Sequence, residues 1–308
     1  DRELAEQFEA ETGRKIDFNL FTDDQYTNVL RTKLSTGEGP DIYLTHGGVG
    51  MTLYQPDQHA LDLSSEPWVS RYTDWALAGT TYNGKVIALN TWSVDGWGML
   101  YNPEVFEELG LSVPKTFEEF LNVCEVLQAN GYIPIYEPGK AEWRQEIWLN
   151  AFSASLAKKK PGIYDQFNTN QAKFADQEEL VEGLTMLKEI VDRGYFGDDF
   201  MSNTWENSID AMASGKYGMT LVYSTFSNEV AAKYPDSKAD TWEMFPVPFT
   251  GTVWATSAGG IVRTINKNSK VIDAAKAYFE FLTRPENLKT FYAGRPELGM
   301  PSFKDVEG

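Results

Sequence analysis

Residues 203–226, NTWENSIDAMASGKYGMTLVYSTF, constrain the fold more than any other stretch. Residues 205–214 set Ile209, Met212 and Ala213 along one stripe at helical spacing. Gly215-Lys216 follows the last periodic residue, where a glycine commonly ends a helix. Residues 217–223 are then a short, mostly apolar run bounded by turn residues, which predicts a buried strand. Ser224 and Thr225 stand in N-cap position for a helix through Tyr234. Helix, glycine turn, buried strand and polar helix start belong to an α/β sheet. Strand ends that feed helix N-termini are where open sheets of this kind bind ligands.

The rest of the chain alternates in a similar way. Residues 2–11 predict a helix ended by Gly13. Residues 15–21 alternate, with Ile16, Phe18 and Leu20 on one face, and predict a strand. Asp23 or Asp24 caps a helix through Leu34, Gly37 ends it, and Asp41 starts a strand. Asn83-Gly84 is a hairpin signal before a strand over 85–89, and a further strand covers 98–102. Pro103 opens a helix closed by Gly110. Thr116 with Glu119 makes a capping box for a helix over 117–129. Helices are expected over 143–156 and 177–193, with a solvated Lys158-Lys159-Lys160-Pro161 loop between them. Residues 242–248 form a short strand, 254–262 a glycine-broken one, and Ser269 caps a helix to Leu282.

Composition narrows the function. The 308 residues allow two domains of ordinary size, and 42% hydrophobic content can fill their cores. A formal net charge of -18 argues against nucleic acid or an anionic membrane surface as partner. No run of 18 apolar residues spans a membrane. The single Cys124 lies in an apolar helical pattern and reads as core. His46 and His59 have no metal-ligand spacing, no G-x-S-x-G elbow occurs, and Gly47-Gly48-Val49-Gly50 lacks the lysine of a phosphate loop. Asp23-Asp24, Glu118-Glu119 and Asp198-Asp199 are sequence neighbours whose side chains diverge, so they make poor acid/base couples. No cofactor or metal is expected. Nine Trp and an aromatic content of 14% instead suit a groove lined with rings, where a sugar's C–H face finds a flat apolar contact.

The ordered motifs resemble those of the extracellular solute-binding proteins of ABC sugar importers, the group that includes maltose-binding protein. The family's "F…G-K-A-A-M…G-S-W" unit stands here as DAMASGKYGMTLVYSTF, with Phe226 for the Trp and Thr225 for the small residue before it. Gly37-Glu38-Gly39-Pro40-Asp41 matches "G-x-x-P-D", and Leu61-Asp62-Leu63 is similar to "L-x-D-L". Residues 82–102 follow "G-K-x-Y-G-x-P" and a strand ending "Y-Y-N", with Ile87-Ala88 for Tyr-Gly and Asn90 for Pro. Residues 113–119 match "P-x-T-W-x-E" with Phe117 for Trp, and 131–136 match "G-x-x-P-I". Residues 284–286 belong to a pattern similar to "F-L-x-S-P-E".

The resemblance implies a two-lobe α/β binding fold with discontinuous lobes, a hinge and an interlobe cleft. The first lobe would be residues 1–100 plus 259–303, the second 101–258. The family begins with a strand ahead of the helix at residue 2 and continues past the equivalent of Gly308, so the chain reads as incomplete at both ends. Function follows as non-catalytic capture of a carbohydrate by hinge closure and its delivery to a membrane permease. The protein would work as a monomer outside the cytoplasm, in a periplasm or as a cell-surface lipoprotein.

The resemblance also implies where ligand binds. Trp92 and Asp95 precede the strand that crosses between lobes, where a ring stacks on a sugar and a carboxylate accepts its hydroxyls. Trp143 follows a cleft-facing loop, and Tyr223, Ser224 and Thr225 end a strand. Trp254, Ser257 and Gly259 lie on the return crossing, and Thr45 and His46 follow the strand after Pro40-Asp41. Two rivals stay open: a binder of the same architecture for a cation such as a polyamine, and a glycoside hydrolase. The first needs several cleft carboxylates; the second needs two carboxylates about 5–10 Å apart across a groove.

Overall fold

Tyr217–Tyr223 forms a strand whose five inner residues are buried, as its apolar run predicts. The computed structural model describes residues 1–92, 95–248, 255–257, 260–293 and 301–306. The chain divides into two compact units: residues 1–95 with 257–308, and residues 96–256. In chain order the first holds α1 (Arg2–Thr12), α2 (Asp23–Thr36), β1 (Ile42–His46), α3 (Pro56–His59), α4 (Asp74–Thr80), β2 (Thr81–Tyr82) and β3 (Lys85–Val86). Strand β4 (Asp95–Tyr101) leads into the second unit. There follow α5 (Pro103–Glu108), α6 (Phe117–Ala129), β5 (Ile133–Tyr136), α7 (Arg144–Lys159), α8 (Ile163–Asn168) and α9 (Glu178–Asp192). Then come α10 (Ser208–Ala213), β6 (Tyr217–Tyr223), α11 (Phe226–Lys233), β7 (Glu243–Phe245) and β8 (Ala255–Ser257). The chain returns to the first unit with β9 (Ile261–Ile265), α12 (Ile272–Leu282) and α13 (Pro285–Ala293).

In the second unit the sheet order is β5-β6-β4-β7, with β8 also on β4. Strands β5 and β6 run parallel, while β4 is antiparallel to β6 and β7. Alternate side chains of β4 enter separate cores. Met99 and Tyr101 pack with Phe120, Leu127 and Phe152 from α6 and α7; Leu100 packs with Met212, Phe226 and Val230 from α10 and α11. A sheet covered on both faces needs apolar residues at every position, which is why 217–223 reads as a continuous run. Gly215 adopts φ 70°, the left-handed conformation its place after α10 requires. Helix α6 has the bounds its capping box predicts. The Glu119 N–H donates to Thr116 Oγ1 at 3.2 Å, while Glu119 Oε2 accepts from the Lys115 N–H at 2.7 Å, one residue earlier than a standard box. Cys124 is fully buried, and that burial pushes its thiol well above the usual range.

In the first unit β1 and β9 pair antiparallel, with Leu44 opposite Arg263 and His46 opposite Ile261. Asn83-Gly84 closes the β2–β3 hairpin. The core gathers Phe8 from α1, Trp68 and Tyr72, Phe279 and Leu282 from α12, and Phe303 near the end of the chain.

Several expectations need correction. Residues 15–21 form no strand: Phe18, Leu20 and Phe21 are exposed, and no described strand takes up their backbone groups. Alternation makes a strand only where a ladder partner exists. Helix α2 starts at Asp23 with Thr22 at the cap, so neither Asp23 nor Asp24 is the cap residue. The strand over 85–89 ends at Val86, Leu89 keeping one isolated bridge to Arg263, and the strand over 98–102 begins earlier, at Asp95. Helix α7 absorbs Lys158 and Lys159, α10 starts at Ser208 instead of Trp205, and α12 starts at Ile272 with Val271 at its cap instead of Ser269. Thr225 does precede α11, but with helical dihedrals and no side-chain cap bond, because its side chain turns into the core.

Candidate ligand-binding site

Four parts of the second unit bring aromatic rings together. Trp143 sits at the N-cap of α7, held there by the turn in which the Arg144 N–H donates to the Ala141 carbonyl. Trp205 lies in the turn before α10, and Tyr223 ends β6. The Trp143 and Trp205 centroids are 5.0 Å apart at 72°, an edge-to-face pair. Trp205 lies 6.1 Å from Tyr223, and Trp97 of β4 meets Tyr223 at 5.4 Å and 74°. The register sets that last contact, since Trp97 is directly opposite Tyr223 across β4 and β6. Phe226 backs Trp205 and Tyr223 from the buried side at 5.8 and 5.9 Å. Trp97, Trp143, Trp205 and Tyr223 are all half-buried, so each keeps surface to offer.

The polar groups of this cluster are incompletely satisfied. The indole N–H groups of Trp97 and Trp143 and the hydroxyls of Ser224 and Thr225 are shielded yet have no partner among the described residues. A buried polar group without a partner costs about 1–3 kcal/mol. The Tyr223 hydroxyl, by contrast, donates to Glu229 Oε1 at 2.8 Å. Beneath the rings, Glu137 accepts from Arg144 Nε at 3.1 Å, from its Nη2 at 3.0 Å and from Trp148 Nε1 at 3.0 Å.

In the first unit the ring is Trp92. It is half-buried and lies over Gly260, where an added Cβ would stand 3.3 Å from Trp92 Cγ. Its backbone is clamped: its N–H donates to Asn90 Oδ1 at 2.8 Å, and its carbonyl accepts from the Ser302 N–H at 3.1 Å. Next to it, Thr91 Oγ1 accepts from buried Arg263 Nη1 at 2.7 Å. The Gly47 N–H donates to the Gly260 carbonyl at 3.1 Å, which brings the end of β1 beside Trp92. His46 is exposed there. Thr45 is turned inward, its hydroxyl donating to the carbonyls of His46 and Gly50 at 3.2 and 3.3 Å.

The structure thus groups Trp143, Tyr223, Ser224 and Thr225 in one unit, and Trp92 and His46 in the other. Asp95 and Ser257 are described in backbone only, at the start of β4 and the end of β8; Trp254 and Gly259 lie outside the described residues. The sequence reading did not find Trp97, Trp205, Glu137 or Arg144. Trp97 carried a signal, since it sits two residues after Asp95 on the same strand. Among the described residues no cluster of His, Cys, Asp or Glu could hold a metal ion.

Both compact units are of mixed α/β structure, and the second carries the aromatic cluster. The model of the bacterial extracellular solute-binding protein family matches residues 1–289, and the chain belongs to that family. It is 20% identical over 294 residues to the multiple sugar-binding protein of Streptococcus mutans, covering 94% of this chain and 69% of that one. It is 24% identical over 311 residues to the melibiose/raffinose/stachyose-binding protein MelE of Bacillus subtilis, covering 94% and 67%. In fold it is similar, with a TM-score of 0.81, to an ABC transporter solute-binding protein from Thermotoga lettingae bound with alpha-D-tagatose. That match has 21% identity and covers 99% of this chain and 78% of the other. The family and these relatives are binding proteins, not enzymes, and the family is extracytoplasmic. No helix among the described residues is long and apolar enough to cross a membrane.

Proposed function

We propose that the protein is the substrate-binding component of an ABC importer, that it binds a neutral oligosaccharide or monosaccharide, and that it delivers the sugar to a membrane permease. The observation that carries this reading is the ring cluster of Trp143, Trp205, Tyr223 and Trp97 with its unpartnered indole and hydroxyl groups. Sugars present C–H faces for such rings and hydroxyls for such polar atoms. Relatives named for multiple sugars and for melibiose, raffinose and stachyose support the ligand class. The buried carboxylate beneath the rings counts against a polyamine, because Glu137 is already paired with Arg144. Trp92 and His46 are proposed as the first unit's contribution to recognition. The chain passes between the units only at residues 95–96 and 256–257, and these passages are proposed as the hinge.

Calorimetry against a panel of neutral sugars and polyamines, at about 20 mM and about 500 mM salt, tests the reading, because screening acts on charge–charge terms alone. A sugar should bind with an affinity that salt barely changes, emerge intact on chromatography, and lower the radius of gyration in solution scattering. Polyamine binding that collapses at high salt with no sugar response would overturn the assignment. Release of reducing ends above a heat-killed control would do the same.

A further inference from the structure

Glu137 and Arg144 form the most deeply buried ion pair among the described residues, with side chains 5% and 2% exposed. Burying both charges is a poor way to gain stability, since apolar side chains of equal volume often serve as well or better. The pair does something apolar residues cannot. Its bidentate fork fixes the guanidinium plane, and Trp148 Nε1 fixes the carboxylate. The Arg144 Cζ so held lies 5.6 Å from the Trp143 ring centroid and 5.9 Å from that of Trp205. One cation therefore attracts both members of the edge-to-face pair. Glu137 takes Nε and Nη2, while Nη1 is shielded and has no partner among the described residues.

We propose that Glu137 and Arg144 are positioning residues: they hold Trp143 and Trp205 in the one relative orientation in which the exposed parts of the rings meet a neutral, hydroxyl-bearing ligand. This rests on the carbohydrate reading for the ligand, but not for the ring geometry. The loss of either partner alone would strand a buried charge and unfold the unit for unrelated reasons. The informative variant is Glu137→Gln/Arg144→Met in the full chain. Gln keeps an acceptor for Trp148 Nε1, and Met fills most of the arginine volume without charge.

Circular dichroism of the ligand-free protein reads the ring pair directly, the Trp143–Trp205 exciton couplet being assigned from the difference between wild type and Trp143→Phe. The double variant should keep a denaturation midpoint close to wild type, lose the couplet, and bind the best sugar of the panel on the order of tenfold more weakly. An intact couplet would overturn the proposal whatever the affinity. A lost couplet with unchanged affinity would also overturn it. A double variant that fails to fold would make the pair a stability element and overturn it too. If wild type binds no sugar, the carbohydrate reading fails separately, and the couplet still decides whether the pair orients the rings.

Discussion

Gly183→Ala sets two large effects against each other, and the structure decides which wins. Gly183 lies within α9 where that helix packs on α7. An added methyl would stand 2.4 Å from Phe152 Cγ, 2.7 Å from its Cδ1 and 2.8 Å from its Cβ. Alanine in a helix interior gains about 1 kcal/mol over glycine, and a buried methyl adds about 0.8 kcal/mol. The opposing strain comes from the root of the Phe152 side chain. Those atoms cannot swing aside as a ring edge can, and Phe152 is fully buried. Relief requires α7 to move away from α9. Overpacking of this kind costs about 1–3 kcal/mol and sometimes more. Contact at the root of a buried ring puts the cost at the upper end, about 3 kcal/mol against a gain of about 2 kcal/mol, so a net loss of about 1 kcal/mol is expected. Urea denaturation should show a lower midpoint with an unchanged slope. Glu182→Ala, on the exposed side of the same turn, should leave the midpoint almost unmoved. Because α7 begins at Arg144, its displacement should also weaken sugar binding. A Gly183→Ala protein more stable than wild type by about 1 kcal/mol would refute the reasoning, showing that the helices yield and propensity dominates.

Trp92→Ala should weaken sugar binding by about 1–3 kcal/mol, the usual loss for a large aromatic anchor, while moving the denaturation midpoint little. Unchanged affinity with a large loss of stability would make Trp92 a core residue. Alkaline pH supplies a second check. Burial pushes the Tyr26 and Tyr136 phenols from 10.0 up to about 12, so the folded state keeps protons that the unfolded state releases. Stability should be level below pH 10, fall through the window up to about 12, and stop falling from these groups above it; a midpoint flat across that window would show that neither phenol is desolvated in the folded state.

The parts of the fold legible in the sequence are those whose determinants are local. Helix α6 announces itself because Thr116, Glu119 and an apolar stripe occur within one short segment. Strand β6 does so because a doubly covered strand is mostly apolar along its length, with Thr220 the one buried hydroxyl and its bond made to the Tyr136 carbonyl. Residues 15–21 show the opposite case: their alternation is as clean as any in the chain, yet a ladder is a property of two strands and only one is written there. Trp205 was assigned to a helix on period alone, whereas α10 starts three residues later and leaves the ring free to face Trp143.

The candidate site was half legible for the same reason. Trp143, Tyr223, Ser224 and Thr225 stand at strand ends and helix starts, and such junctions can be found by reading in one dimension. What joins them could not be read that way. Glu137 and Arg144 are seven residues apart: Glu137 directly follows β5, Arg144 opens α7, and the turn from Pro138 to Ala141 lies between them. No helical or strand period pairs positions separated by that path; only the turn that folds α7 back toward β5 does so. The sequence also could not reveal that these charges spend themselves on each other. Net charge had pointed toward a cationic ligand as a rival, but charge counted along a chain says nothing about which carboxylates are already taken. Glu137 is matched by Arg144, Glu229 accepts the Tyr223 hydroxyl and keeps its charge, and the shielded groups without a partner around the rings are the Trp97 and Trp143 N–H, the Ser224 and Thr225 hydroxyls and Arg144 Nη1. A sugar hydroxyl can accept from such N–H groups and donate to such hydroxyls, whereas an ammonium can only donate.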